Sequence, residues 1–119
     1  MLEEIFTTQG RLNRLPYVKY ALGMLIISLL LNSILAFVFT VLTGNAEGIL
    51  FNILAVVVML PFSVGQFMVA IRRLHDLNRS GWLVLLELIP FINVILEIYL
   101  VFFRGTRGQN QYGADPLEF

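Results

Sequence analysis

No cysteine occurs in the 119 residues, which excludes disulfides, thiolate metal sites and a cysteine nucleophile, and leaves the redox compartment unread. A single histidine is too few for a histidine metal cluster, and no cofactor is expected. Phosphate-cradling patterns of the G-x-x-x-x-G-K-[ST] or G-x-G-x-x-G kind are missing. Charge is scarce as well. Charged residues are 13% of the chain against 58% hydrophobic, with mean hydropathy +0.82, so a water-soluble fold would have too little charge to cover its surface. Nucleic-acid binding has no support, because the basic residues are few and lie beside apolar runs.

What is present is three long apolar runs. Ala21 to Leu42, Ile49 to Ile71 and Leu83 to Phe103 are each long enough for a transmembrane helix of roughly 20 residues. The first exceeds a signal-peptide h-region and lacks a small-x-small cleavage site, so it reads as a retained span. The expected fold is all-α: one integral membrane helical bundle with three transmembrane helices over about 20–43, 49–71 and 82–103, between a polar segment 1–19 and a polar tail 104–119. Asn13 is placed to cap the first helix, Pro16 lies in its first turn, and Thr43 to Gly48 is a tight turn that makes the first two spans a hairpin. Ser28, Asn32, Ala36 and Thr40 form a small and polar stripe on the first helix. Asn52, Ala55, Met59, Ser63, Gln66 and Ala70 form a matching face on the second, which continues to Arg73. Pro61 should kink that helix. Ser80 is the expected cap of the third helix and Trp82 its interfacial anchor.

The eight basic residues fall in three places: Arg11, Arg14 and Lys19; Arg72, Arg73 and Arg79; Arg104 and Arg107. With three spans and the N-terminus in the cytoplasm, six are inside and two outside, which the positive-inside bias prefers over the reverse. Arg104 and Arg107 object to this. The alternative is two spans plus a re-entrant hairpin broken at Pro90, which puts all eight inside. Its first arm, 82–89, reaches only about 12 Å as an α-helix, and its turn backbone needs partners at mid-depth. The three-span arrangement is therefore the expectation.

Three polar islands carry a resemblance. Gly10-Arg11-x-Asn13-Arg14-x-x-Tyr17, Arg72-Arg73-Leu74-His75-Asp76-x-x-Arg79-Ser80-Gly81-Trp82 and Gly105-Thr106-x-Gly108-x-Asn110-x-Tyr112-Gly113-x-Asp115-Pro116 together resemble the DUF805 (YhaH/YhaI-like) family of small bacterial inner-membrane proteins, across essentially the whole chain. The resemblance implies a multi-pass protein of the bacterial cytoplasmic membrane and implies no mechanism. Glu87 and Glu97 depart from the plainly apolar third segment associated with the family.

Two sets of candidate residues follow. Arg72, Arg73, His75, Arg79 and Ser80 could hold an anionic ligand or lipid headgroup, through the planar guanidinium fork and the amides that open the third helix; alternatively Asp76 pairs with Arg72 or Arg73 and the arginines set topology. Glu87, Asn93 and Glu97 are intramembrane polar residues. The two carboxyls lie roughly 8 and 10 Å from their span ends and must be protonated, paired or wet. A continuous helix places Glu97 and Asn93 on one face and Glu87 well off it. The leading functional expectation is a non-enzymatic membrane module whose basic loop contacts anionic lipid or a partner membrane protein, including a second copy of the chain. A small oligomeric transporter or channel subunit using Glu97 and Glu87 is one alternative. An interfacial lipid-acting enzyme with His75 and Asp76 as acid and base is the other.

Overall fold

The computed structural model describes residues 5–117. Among these the chain is helical through its first two apolar runs and through two parts of the third, with no strand beyond a single bridge between Asn110 and Gly113. Helix α1 spans Arg14–Thr43 and α2 spans Ile49–Asp76. At 1.5 Å per residue their 30 and 28 residues reach about 45 and 42 Å, longer than a hydrocarbon core of about 30 Å. Asn13 occupies the cap position of α1 through its backbone carbonyl, which accepts from the Tyr17 N–H at 3.1 Å, and makes no side-chain cap bond. The helix ends at Gly44, whose N–H donates to Thr40 O. α2 runs on through Pro61 as continuous helix.

The two long helices pack as an antiparallel pair, and the seam on α2 follows the expected one in part: Ala70 is buried and Gln66 Nε2 donates across to Ala21 O of α1. Gly65 and Val69 are buried and Ala55, Val58 and Phe62 half-buried, whereas Asn52, Met59 and Ser63 are exposed. Apolar shape decides this contact: Phe51 meets Phe39 edge to face at 5.4 Å, and the bare backbone of Gly65 lies against Met24. The small polar residues of α1 bond within their own helix, Ser28 Oγ to Leu25 O and Asn32 Nδ2 to Ser28 O, and so need no partner across the seam. Much of α1 faces outward with its apolar side chains exposed: Leu29, Leu30, Phe37 and Leu42 are each more than half exposed.

The third apolar run corrects the expectation of one continuous span. It is broken into a 3-10 helix, Gly81–Leu88, and a short helix α3, Ile92–Phe102. Pro90 ends the first, and Phe91 turns the chain with φ +68°, a conformation that costs a non-glycine residue about 1–3 kcal/mol. The turn's backbone bonds locally: Ile89 N–H to Leu86 O, Asn93 N–H to Ile89 O and Ile95 N–H to Phe91 O. Both arms end at the same end of the molecule. Gly81 lies against Ile71 and His75 of α2, and beyond α3 the Thr106 N–H donates to Asp76 O at 2.7 Å. The expected cap at Ser80 is present, its Oγ accepting from the Trp82 N–H, and Trp82 itself is exposed.

Candidate functional site

Folding the third run back brings the three polar islands together at one end of the helix pair. The centre of this end is a buried ion triad. Asp76, in the last turn of α2, accepts from Arg73 Nη1 through Oδ2 at 2.5 Å and from Arg11 Nε through Oδ1 at 3.0 Å. Arg73 is fully buried. Its Nε donates to Leu100 O, its Nη2 to Phe103 O and its Nη1 also to Leu12 O. Arg14 adds a bond from Nη1 to Phe102 O. The last carbonyls of α3 have no intrahelical partners, and a positive charge at a helix C-terminus is favoured by the dipole, so these arginines act as its cap.

Arg11 does the equivalent for the tail. Its Nη2 donates to Thr106 O and its Nη1 to Gly108 O and Gly113 O. The tail, expected as a loop outside the membrane, is thus docked. His75 stacks on Tyr112 with ring centroids 3.9 Å apart and planes 8° from parallel. Asn110 Nδ2 donates to His75 O while its Oδ1 accepts from the Tyr112 N–H. Asp115 accepts from the backbone N–H groups of Leu117 and Gly108, and these bonds hold its carboxyl below the usual carboxylate range. Stabilisation from Asp115 is therefore present at neutral pH and is lost as the pH falls through the ordinary carboxylate range toward its lowered folded value. Asp115→Ala frees both amides and is expected to speed tryptic cleavage after the exposed Arg107 severalfold; an unchanged cleavage rate would show that the tail is held without it.

The candidate anion-binding residues are split by this arrangement. Arg73 faces inward, inaccessible and committed to carbonyls and Asp76. His75 Nδ1 is against Gly10 O at 3.1 Å. Arg72 is half-buried. Arg79 stays exposed, with Nε donating to Tyr99 OH, and Ser80 is exposed beside it. Asp76 is 2% exposed, which gives an external substrate no access to it as acid or base beside His75.

The intramembrane candidates come together instead of apart. The break at Pro90 brings Glu87 of the 3-10 helix beside Glu97 of α3, near enough to share a hydrogen bond. Tyr17 OH donates to Glu97, 2.8 Å from Oε2 and 3.1 Å from Oε1. Both carboxyls line a cavity of about 570 Å³ between α1, α2 and the hairpin, together with Ser63 and Gln66; Asn93 does not line it. Gln66 Nε2 donates to Ala21 O. The partner of Glu97 was not readable from the sequence, because it depends on where the third run turns. No group of three or more potential metal ligands occurs among the described residues.

Two long helices with apolar exteriors, a folded-back apolar hairpin and one basic end define a helical protein of the membrane-embedded type. The sequence model described as "Protein of unknown function (DUF805)" matches residues 5–114, and the chain belongs to that family. Inner membrane protein YhaH of Escherichia coli (strain K12) is 45% identical over 73 residues, covering 61% of this chain and 57% of that protein. Inner membrane protein YhaI of the same strain is 55% identical over 49 residues, 40% of each chain. The match therefore spans less than two thirds of the length of these curated relatives. No solved structure matches. The family carries no assigned activity in its description.

Proposed function

We propose that this chain is a non-enzymatic inner-membrane module with two spans, α1 and α2, and a re-entrant hairpin, 81–102, whose basic end lies in the cytoplasm and contacts anionic phospholipid headgroups. One observation carries the reading: the folded-back hairpin gathers all eight lysines and arginines at one end. The positive-inside bias then acts without a dissenting group. Arg11 and Arg73 are consumed internally. Arg14, Lys19, Arg79, Arg104 and Arg107 remain exposed around the rim, where each is worth about 1 kcal/mol toward an anionic leaflet. Trp82, exposed at the start of the hairpin, suits the headgroup level.

Two measurements test this. A green fluorescent protein fused after Phe119 should fluoresce, and alkaline phosphatase at the same point should be inactive while phosphatase inserted at Asn45 is active; the opposite pattern overturns the topology. For the lipid, native mass spectrometry of the protein extracted from mixed phosphatidylglycerol and phosphatidylethanolamine bilayers should show retained phosphatidylglycerol. Arg79→Ala, Arg104→Ala and Arg107→Ala together should reduce that enrichment tenfold or more, in line with a loss of about 3 kcal/mol. Equal retention by the triple variant would remove the headgroup role.

A further inference from the structure

We propose that the cavity between α1, α2 and the hairpin binds an amphipathic organic cation, a protonated amine or an onium group on an apolar body. This inference is independent of the headgroup reading, which concerns the opposite charge and a different surface. The cavity volume, about 570 Å³, is in the range of small-molecule sites, which combine mostly apolar walls with a few convergent polar groups. The walls here are of that kind. Phe67 and aliphatic residues supply the apolar area, and Glu87, Glu97 and Tyr17 supply the polar groups.

Charge complementarity names the occupant. Two carboxyls line the cavity and no lysine or arginine does; the basic residues nearby in sequence, Arg14 and Arg73, are spent on the carbonyls of α3. Glu97 is held in place by the Tyr17 hydroxyl, and Glu87 joins it on the cavity wall. Two carboxyls that share a hydrogen bond hold one proton and one negative charge between them, a charge that is expensive within an apolar segment, and a single positive charge placed beside the pair answers it. The aromatic rings of Tyr17 and Phe67 on the cavity wall are of the kind that attracts onium groups. An anion of the same shape would meet the carboxyls and be rejected. A neutral acyl chain would fill the volume and leave the carboxyls unanswered.

The experiment uses the full chain in nanodiscs of zwitterionic phosphatidylcholine and two probes of nearly identical size and apolarity, tetraphenylphosphonium and tetraphenylborate. Equilibrium dialysis should find saturable binding of about one tetraphenylphosphonium per chain and no saturable binding of tetraphenylborate. Glu87→Gln with Glu97→Gln keeps the shape of both side chains and should weaken tetraphenylphosphonium binding tenfold or more. Ala21→Phe, which fills the cavity and leaves the carboxyls in place, should abolish it, so the result does not depend on the double glutamine variant folding. Equal binding of the two probes would show an apolar cavity without charge selection. Binding that survives both the glutamine and the phenylalanine variants would place the probe elsewhere. Either result, or no saturable tetraphenylphosphonium binding at all, overturns the proposal.

Discussion

Asp76→Ala is expected to undo the basic end while α1 and α2 stay inserted. The substitution removes the carboxylate that answers two guanidinium groups, whose side chains are 1% and 0% exposed. Breaking a buried ion pair from one side costs about 3–5 kcal/mol, because the remaining charge stays desolvated and unpaired. Here two charges are left, so the upper part of that range is the expectation. The loss also spreads. Arg73 caps Leu100 and Phe103 of α3, and Arg11 holds Thr106, Gly108 and Gly113, so relaxation of either guanidinium toward water releases the hairpin's second arm or the tail. Hydrogen exchange of the full chain in nanodiscs should show protection lost over 104–117 and in the last turn of α3, with the interior of α1 and α2 unchanged. Protection equal to that of the parent protein would mean the triad is solvated and the tail held by other contacts. Replacing all three members by apolar residues of similar size, which can be neutral for a buried ion pair elsewhere, should fail here. The carbonyls of Leu100 and Phe103 would lose the donors that Arg73 supplies.

Parts of this were legible in the sequence and parts were not, for physical reasons. The α1–α2 hairpin followed from two apolar runs around Thr43–Gly48, since length and turn chemistry are local properties. Arg73 was legible as a continuation of the α2 packing face, and that is how it comes to be buried. The seam was read from small and polar residues; on α2 Ala70 and Gln66 take part in it, while those of α1 bond to their own helix and Phe51 and Gly65 supply apolar contacts the reading did not include.

The hairpin at Pro90 was visible as an alternative and was set aside for the short reach of its first arm and the needs of its turn backbone. The first arm is a 3-10 helix, which rises about 2 Å per residue and reaches roughly 16 Å over eight residues instead of 12. Three of the turn's amides, those of Ile89, Asn93 and Ile95, bond to the Leu86, Ile89 and Phe91 carbonyls. Once the run folds back, Glu87 and Glu97 meet. A continuous helix would hold them on different faces, so their spacing along one helix gave no sign of the pairing.

The tail motif offers the second large effect, at Gly105. A Cβ built on this residue collides with the carboxylate of Asp76, and that carboxylate has nowhere to go, because Arg73 and Arg11 fix both of its oxygens. Gly105→Ala is therefore expected to cost at least the roughly 1–3 kcal/mol typical of overpacking a closed site, and more if the triad opens to make room. The same geometry predicts strong non-additivity. In an Asp76→Ala background the colliding atoms are gone, so adding Gly105→Ala should cost close to nothing, and the cycle should return a coupling on the order of 3 kcal/mol, the upper end for residues in contact. Thermal or denaturant unfolding of the four proteins in one detergent measures it. Simple additivity would separate Gly105 from Asp76. A large coupling would tie the glycine of the tail to the aspartate of the Arg72–Trp82 island, and would explain why motifs far apart in the chain need these residues at once.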